Sequence, residues 1–151
     1  MLVFTPGEAR AYAEAGRLEK WIHAFLTTAG ANVQLSVGLK RQTRWWYGPQ
    51  EFPLSLLERC CGPEADMEYY QPAEDFERQV GGMTRSLQTG WQPAPLIAVY
   101  TPHGTLSVRD GSHRLEALRR IGREAYWLII WFNVEQDKQH FLAQYQQYLP
   151  E

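Results

Sequence analysis

The eight residues "AYWLIIWF", 125–132, constrain the fold more than any other stretch. A strand with one face in water alternates apolar and polar side chains, and this run does not alternate, so it reads as a strand buried within the domain. A second strand pattern, "PLIAVYT", is joined by the turn "PHG" to "TLSVR", where Leu106 and Val108 share one face; the two read as a hairpin. Helical patterns surround these strands. Thr5, Pro6 and Glu8 have the form of a capping box with proline at the first helical position. Leu18, Trp21, Ile22, Phe25 and Leu26 then follow one helix face until "TTAGAN" ends it. From Pro72, the positions Phe76, Val80, Met83 and Leu87 form another face, weakened in its middle by Gly81 and Gly82.

Three stretches are harder to place. "VQLSVGLKRQTRWWYGPQ" has no clean period, and its Trp45, Trp46 and Tyr47 suit a strand, an irregular core cover or a stacking surface, with core the better reading. "EFPLSLLERCCGPE" predicts a short extended entry and then a helix with Ser55 near its start, stopped by Gly62 and Pro63. "GPEADMEYYQPAED" reads as a polar loop rich in carboxylates. At the other end, Asn133 is placed to cap a last helix with Gln136 at its third position, docked by Val134, Phe141, Leu142, Tyr145 and Leu149. The expected fold class is α+β, a small mixed sheet packed by helices, in one domain over 1–151: a helical N-terminal extension (1–50), a core (51–132) and a C-terminal helix (133–151).

Composition excludes several classes. Lys plus Arg number 15 against 17 Asp plus Glu, a formal charge of -2, so the chain lacks the basic excess of a dedicated duplex-DNA binder. No apolar run reaches the roughly 18 residues that cross a bilayer, and "MLVFTPGEAR" lacks a charged leader, so the expected location is cytoplasmic, with no membrane partner. The adjacent Cys60 and Cys61 cannot staple distant parts of a fold and have no metal-binding spacing. They read as half-buried thiols.

The candidate chemistry lies in "LSVRDGSHRLEALRRIG", 106–122, where strand passes to helix. The first turn of a helix carries unpaired N–H groups and the positive end of the dipole, which favour an anion. Gly111 lets the backbone come close, Ser112 donates a hydroxyl, and His113 and Arg114 supply charged donors, so each has a role in binding phosphate. The same residues also serve a plain capped helix, with Asp110 or Ser112 as the cap. Arg119 and Arg120 read as dipole partners and solvated charges.

"DGSHRLEALRRIG", preceded by "PLIAVYTPHGTLSVR", "EFPLSLL" and a helix ending in "LQTGWQPA", resembles the ParB/sulfiredoxin superfamily, also called the ParB-like nuclease domain, over about residues 51–132. The resemblance implies nucleotide binding, with Gly111, Ser112, His113 and Arg114 as phosphate cradle and Arg78 and Arg85 of the preceding helix as further contacts. Ser112 stands where sulfiredoxins carry their catalytic cysteine, so their peroxiredoxin repair is not expected. The helix-turn-helix that follows this module in partition proteins is not matched either. Nearest in motif is the branch with Asp-Gly-x-x-Arg, which includes free-serine kinases. That implies magnesium-dependent phosphotransfer from ATP or ADP to a small-molecule acceptor, or hydrolysis of a nucleotide.

Such chemistry calls for a magnesium ligand and a carboxylate near the acceptor hydroxyl. Asp110 is the candidate to hold the metal or, as a catalytic carboxylate, the acceptor's proton, with Glu64, Glu68 and Glu74 as candidates for the other role, Glu68 first among them. The rival reading is a non-catalytic module that responds to CTP or ATP and contacts a protein or nucleic acid through Trp45, Trp46 and Tyr47, nucleic acid being the disfavoured partner.

Overall fold

The apolar run becomes a strand because helices cover the sheet on both faces. The computed structural model describes residues 1–151. Three helices lead, α1 (Pro6–Glu14), α2 (Leu18–Leu26) and α3 (Val33–Leu39). Strand β1 (Trp45–Pro53) is followed by one 3₁₀ turn, Leu54–Leu56, and by the short strands β2 (Leu57–Arg59), β3 (Cys61–Gly62) and β4 (Tyr69–Tyr70). Then come α4 (Ala73–Gln88), the hairpin β5 (Leu96–Tyr100) and β6 (Leu106–Asp110), α5 (Ser112–Arg120), β7 (Ala125–Phe132) and α6 (Glu135–Gln144).

The main sheet runs β1-β7-β5-β6-β2 and is mixed: β7 pairs antiparallel with β1 and parallel with β5, while β6 pairs antiparallel with β5 and parallel with β2. Alternate side chains of β7 go to opposite faces. Leu128, Ile130 and Phe132 join Phe76, Val80, Leu115, Leu118 and Phe141 in one core, and Ile129 and Trp131 join Trp21, Ile22, Phe25, Leu26 and Leu39 in the other. The α+β class follows from this arrangement. No helix is long and apolar enough to cross a membrane.

Local signals explain most boundaries. Thr5 Oγ1 accepts from Glu8 N at 3.2 Å, as the capping box predicts, and the Glu8 carboxylate accepts from Phe4 N at 2.9 Å and Trp21 Nε1 at 2.8 Å, which ties α1 to α2. Trp45 and Tyr47 pack on the first core and Trp46 on the second, and Trp46 Nε1 donates to Glu19 at 2.6 Å. The aromatic triplet is therefore half-buried strand, which accords with the core reading rather than with a stacking surface.

The structure corrects several expectations and fills in others. Residues 54–61 form no α-helix beyond the single 3₁₀ turn: Leu54 and Leu57 are both buried, and Arg119 donates to both of their carbonyls, at 2.8 and 2.6 Å, so these acceptors are engaged by a tertiary partner instead of a helix ladder. Arg119 is accordingly a structural donor, while Arg120 pairs with Glu77 and Glu116. Residues 33–39 are helical, capped by Asn32, although Val33, Val37 and Gly38 weaken that signal in the sequence. The strand β1 starts at Trp45, so the stretch 1–50 is not wholly helical and β1 crosses the division drawn at residue 51. Asn133 does not cap α6: its Oδ1 accepts from Arg44 and from Trp131 Nε1, the latter at 3.2 Å, the cap position is Val134, and Val134 is exposed.

Candidate phosphate-binding cleft

Alternation along β6 sorts the motif before its chemistry begins. Leu106, Val108 and Asp110 point into the domain while Ser107 and Arg109 point out. The chain then turns at Gly111, whose φ of 113° suits glycine alone, and a Cβ there would lie 2.8 Å from Leu96 Cδ2 and 2.9 Å from Arg114 Nη2. Gly111 is also the N-cap of α5, so no side chain caps the first turn. The capped-helix alternative, with Asp110 or Ser112 as cap, is not what the chain adopts.

That first turn opens on a cleft of about 660 Å³. One wall is the α2–α3 connection and α3, with Gly30, Ala31, Asn32, Gln34, Leu35 and Gly38; the other carries Cys60, Cys61 and Tyr69, and the floor runs from Arg109 to His113. Asp110 is 7% exposed, and its oxygens are taken by Asn32 Nδ2 at 2.9 Å and Arg114 Nη2 at 3.2 Å. The Ser112 hydroxyl accepts from Cys60 N at 3.3 Å and lies 3.8 Å from Cys60 Sγ. His113 Nε2 meets Gln71 Oε1 at 2.6 Å, and Gln71 Nε2 donates to Gln79 Oε1 at 2.7 Å. With its amide nitrogen so used, Gln71 presents an oxygen, which suits a donor at His113 Nε2. Burial first, and then Arg59 and Arg114, hold the His113 pKa below its ordinary value. Burial, with Cys60 beside it, pushes the Cys61 thiol up, so it is not poised as a thiolate.

The other motif residues take different positions. Arg114 does not line the cleft: its Nη2 donates to Pro95 O at 3.0 Å, its guanidinium lies over the Phe25 ring at 5.6 Å, and it braces the turn from beneath. Arg78 pairs with Asp75 at 2.5 Å on the exposed start of α4, and Arg85 is exposed near its end, so neither lines the cleft. Glu68 is not among the lining residues. Its oxygens accept from Arg109 Nη1 at 3.0 Å and Nη2 at 2.6 Å, and that pairing holds its pKa below the usual carboxylate range.

Both Asp110 oxygens are engaged, and no three His, Cys, Asp or Glu side chains come together anywhere in the chain. No step through magnesium follows from this geometry.

Sequence reasoning missed Arg109, Asn32 and Gln71. Period-2 alternation marked Arg109 as outward, and Asn32 is a cap-type residue after a helix stop. Nothing local marked Gln71, or the approach of Cys60 to Ser112.

No protein-family model matches the sequence, and no curated protein matches it. Among solved structures, the C-terminally truncated chromosome-partitioning protein ParB from Caulobacter crescentus, complexed with CTP-γ-S, is 17% identical over 70% of this chain, with a TM-score of 0.44. This chain spans 56% of that protein's length. Sulfiredoxin from Arabidopsis thaliana is 21% identical over 67% of this chain and 98% of its own, with a TM-score of 0.38. A Pnob8-like ParB-N domain is 13% identical over 72% of this chain and 39% of its own, with a TM-score of 0.35.

Proposed function

We propose that this chain is a nucleotide-binding protein whose cleft holds the ligand's phosphates against the first turn of α5. The observation that carries the reading is the uncapped N-terminus of α5 at Gly111, opening on a cleft that Arg109 and His113 also line. Its volume of about 660 Å³ suits a whole nucleotide better than a lone phosphate ion. Binding without chemistry is the favoured form, since the two candidate catalytic carboxylates, Asp110 and Glu68, are each held by an arginine.

A second reading is magnesium-dependent phosphotransfer from ATP or ADP to a small-molecule acceptor, or nucleotide hydrolysis. One observation favours it: Asp110 lines the same cleft. It requires Asp110 to leave Asn32 or Arg114 when the ligand enters.

The test is calorimetric titration of wild type and His113→Ala with ATP, ADP and CTP, each with magnesium, after the variant's fold has been checked by circular dichroism. Binding by wild type that weakens in the variant supports the cleft, and phosphate release or transfer by the bound complex then supports the second reading. No binding of any of the three, by wild type or by a Glu68→Gln variant in which Arg109 is released, overturns the proposal.

A further inference from the structure

We infer that the segment 63–71 is a built-in competitor for the phosphate site, with the Glu68 carboxylate standing on Arg109 where a ligand phosphate would bind. The inference rests on the nucleotide reading above and deepens it by naming the anion contact and what must leave it.

Arg109 is the one Lys or Arg that lines the cleft. Its guanidinium presents the paired N–H donors that grip a carboxylate or a phosphate in the same two-pronged way, and Glu68 takes them with both oxygens. His113, the other lining side chain able to become cationic, is held by Gln71 of the same segment. One stretch of chain therefore occupies both groups that an entering phosphate needs.

The segment is also lightly held. Glu68 is 55% exposed against 19% for Arg109, so the carboxylate reaches the site from the solvent side and returns to water when displaced. Its backbone is tied to the rest of the chain by Tyr69 N to Cys60 O and Gln71 N to Gly62 O, each at 2.9 Å, and its side chains, apart from those on Arg109 and His113, by Glu64 on Arg59 and by Gln71 on Gln79 and Cys61. Tyr69 and Tyr70 are exposed, and the Arg109 guanidinium rests over the Tyr69 ring at 5.5 Å. A phosphate on Arg109 removes the bidentate Glu68 contact, and one approaching His113 competes with Gln71. Ligand entry then frees 63–71, which couples occupancy of the cleft to the conformation of an exposed pair of tyrosines.

The experiment titrates wild type, Glu68→Gln and Arg109→Ala with pyrophosphate, ATP, ADP and CTP, and follows amide hydrogen exchange over 63–71 with and without saturating probe. The expected result is affinity about threefold to fivefold higher in Glu68→Gln than in wild type, the scale of an exposed ion pair. Binding should be lost in Arg109→Ala, and exchange at Tyr69 and Gln71 should quicken when the probe binds wild type. Binding by Glu68→Gln alone also supports the inference, as a latch that wild type opens too rarely. Equal or weaker affinity in Glu68→Gln, unchanged exchange on binding, or undiminished binding by Arg109→Ala overturns the latch while leaving the nucleotide reading in place. No binding of any probe by wild type or Glu68→Gln overturns both.

Discussion

The side-chain amide of Asn32 donates to Asp110 Oδ1 at 2.9 Å, joining positions 78 residues apart. That bond fastens the start of α3, one wall of the cleft, to the turn that begins α5. Because Asp110 is buried, its carboxylate oxygens are satisfied by this amide and by Arg114 rather than by water.

Asn32→Ala leaves a buried carboxylate oxygen without its donor and removes the side-chain contact to Leu35 N. The expected cost is about 1–3 kcal/mol, read from urea unfolding. Asn32→Asp sets a second carboxylate against Asp110 and is expected to cost more than the alanine change. Equal stability of wild type and both variants would show that the contact contributes nothing.

Arg114→Ala removes the guanidinium from a pair whose side chains are 12% and 7% exposed. The expected loss is about 3–5 kcal/mol, because Asp110 then stays buried and unpaired. The double variant Arg114→Met with Asp110→Asn should recover much of it. If the double variant is no more stable than Arg114→Ala, lost packing rather than unpaired charge is the cause.

Gly111→Ala forces a side chain into a left-handed backbone and against Leu96 Cδ2. We expect a loss of about 1–3 kcal/mol, seen as a Tm several degrees lower in calorimetry, together with weaker nucleotide binding. Wild-type Tm and affinity in this variant would mean that the turn relaxes freely.

His113 titrates below its ordinary value of 6.5 in the folded chain, chiefly through burial. The unfolded chain binds the proton more readily, so this contribution to stability is complete above about 6.5, falls as pH drops below it, and is fully lost below the folded value. His23 is lowered for the same first reason, so His113→Gln should remove only part of the acid sensitivity seen in urea unfolding at pH 7.5 and 5.5. A bound phosphate favours protonated His113, so nucleotide affinity should rise from pH 8 to pH 6 in wild type and rise less in His113→Gln. Identical pH profiles for the two proteins would remove His113 from the site.

By itself the sequence determined the elements whose signals are local. The run 125–132 had to be a buried strand because no alternation exposes either face. The hairpin of β5 and β6, the four-residue steps from Phe76 to Leu87, and the glycine turn into α5 were legible for the same reason. The absence of a side-chain cap there was not legible, since Asp110 and Ser112 both suit a cap position and only the structure puts Gly111 in it.

Tertiary structure decided the rest. Leu54 and Leu57 satisfy a helix period, but Arg119, 65 and 62 residues away, takes their carbonyls, and no local pattern contains that partner. Asp110 reads as a free acid in sequence and is a buried brace, because Asn32 and Arg114 converge on it. Glu68 reads as a spare loop carboxylate, and pairing across 41 residues with Arg109 is what holds it against a side chain that lines the cleft. Short-range order fixes backbone conformation within a few residues, whereas the partner of a charge is set by which elements pack together, and that is decided only when the sheet and its two helical layers close.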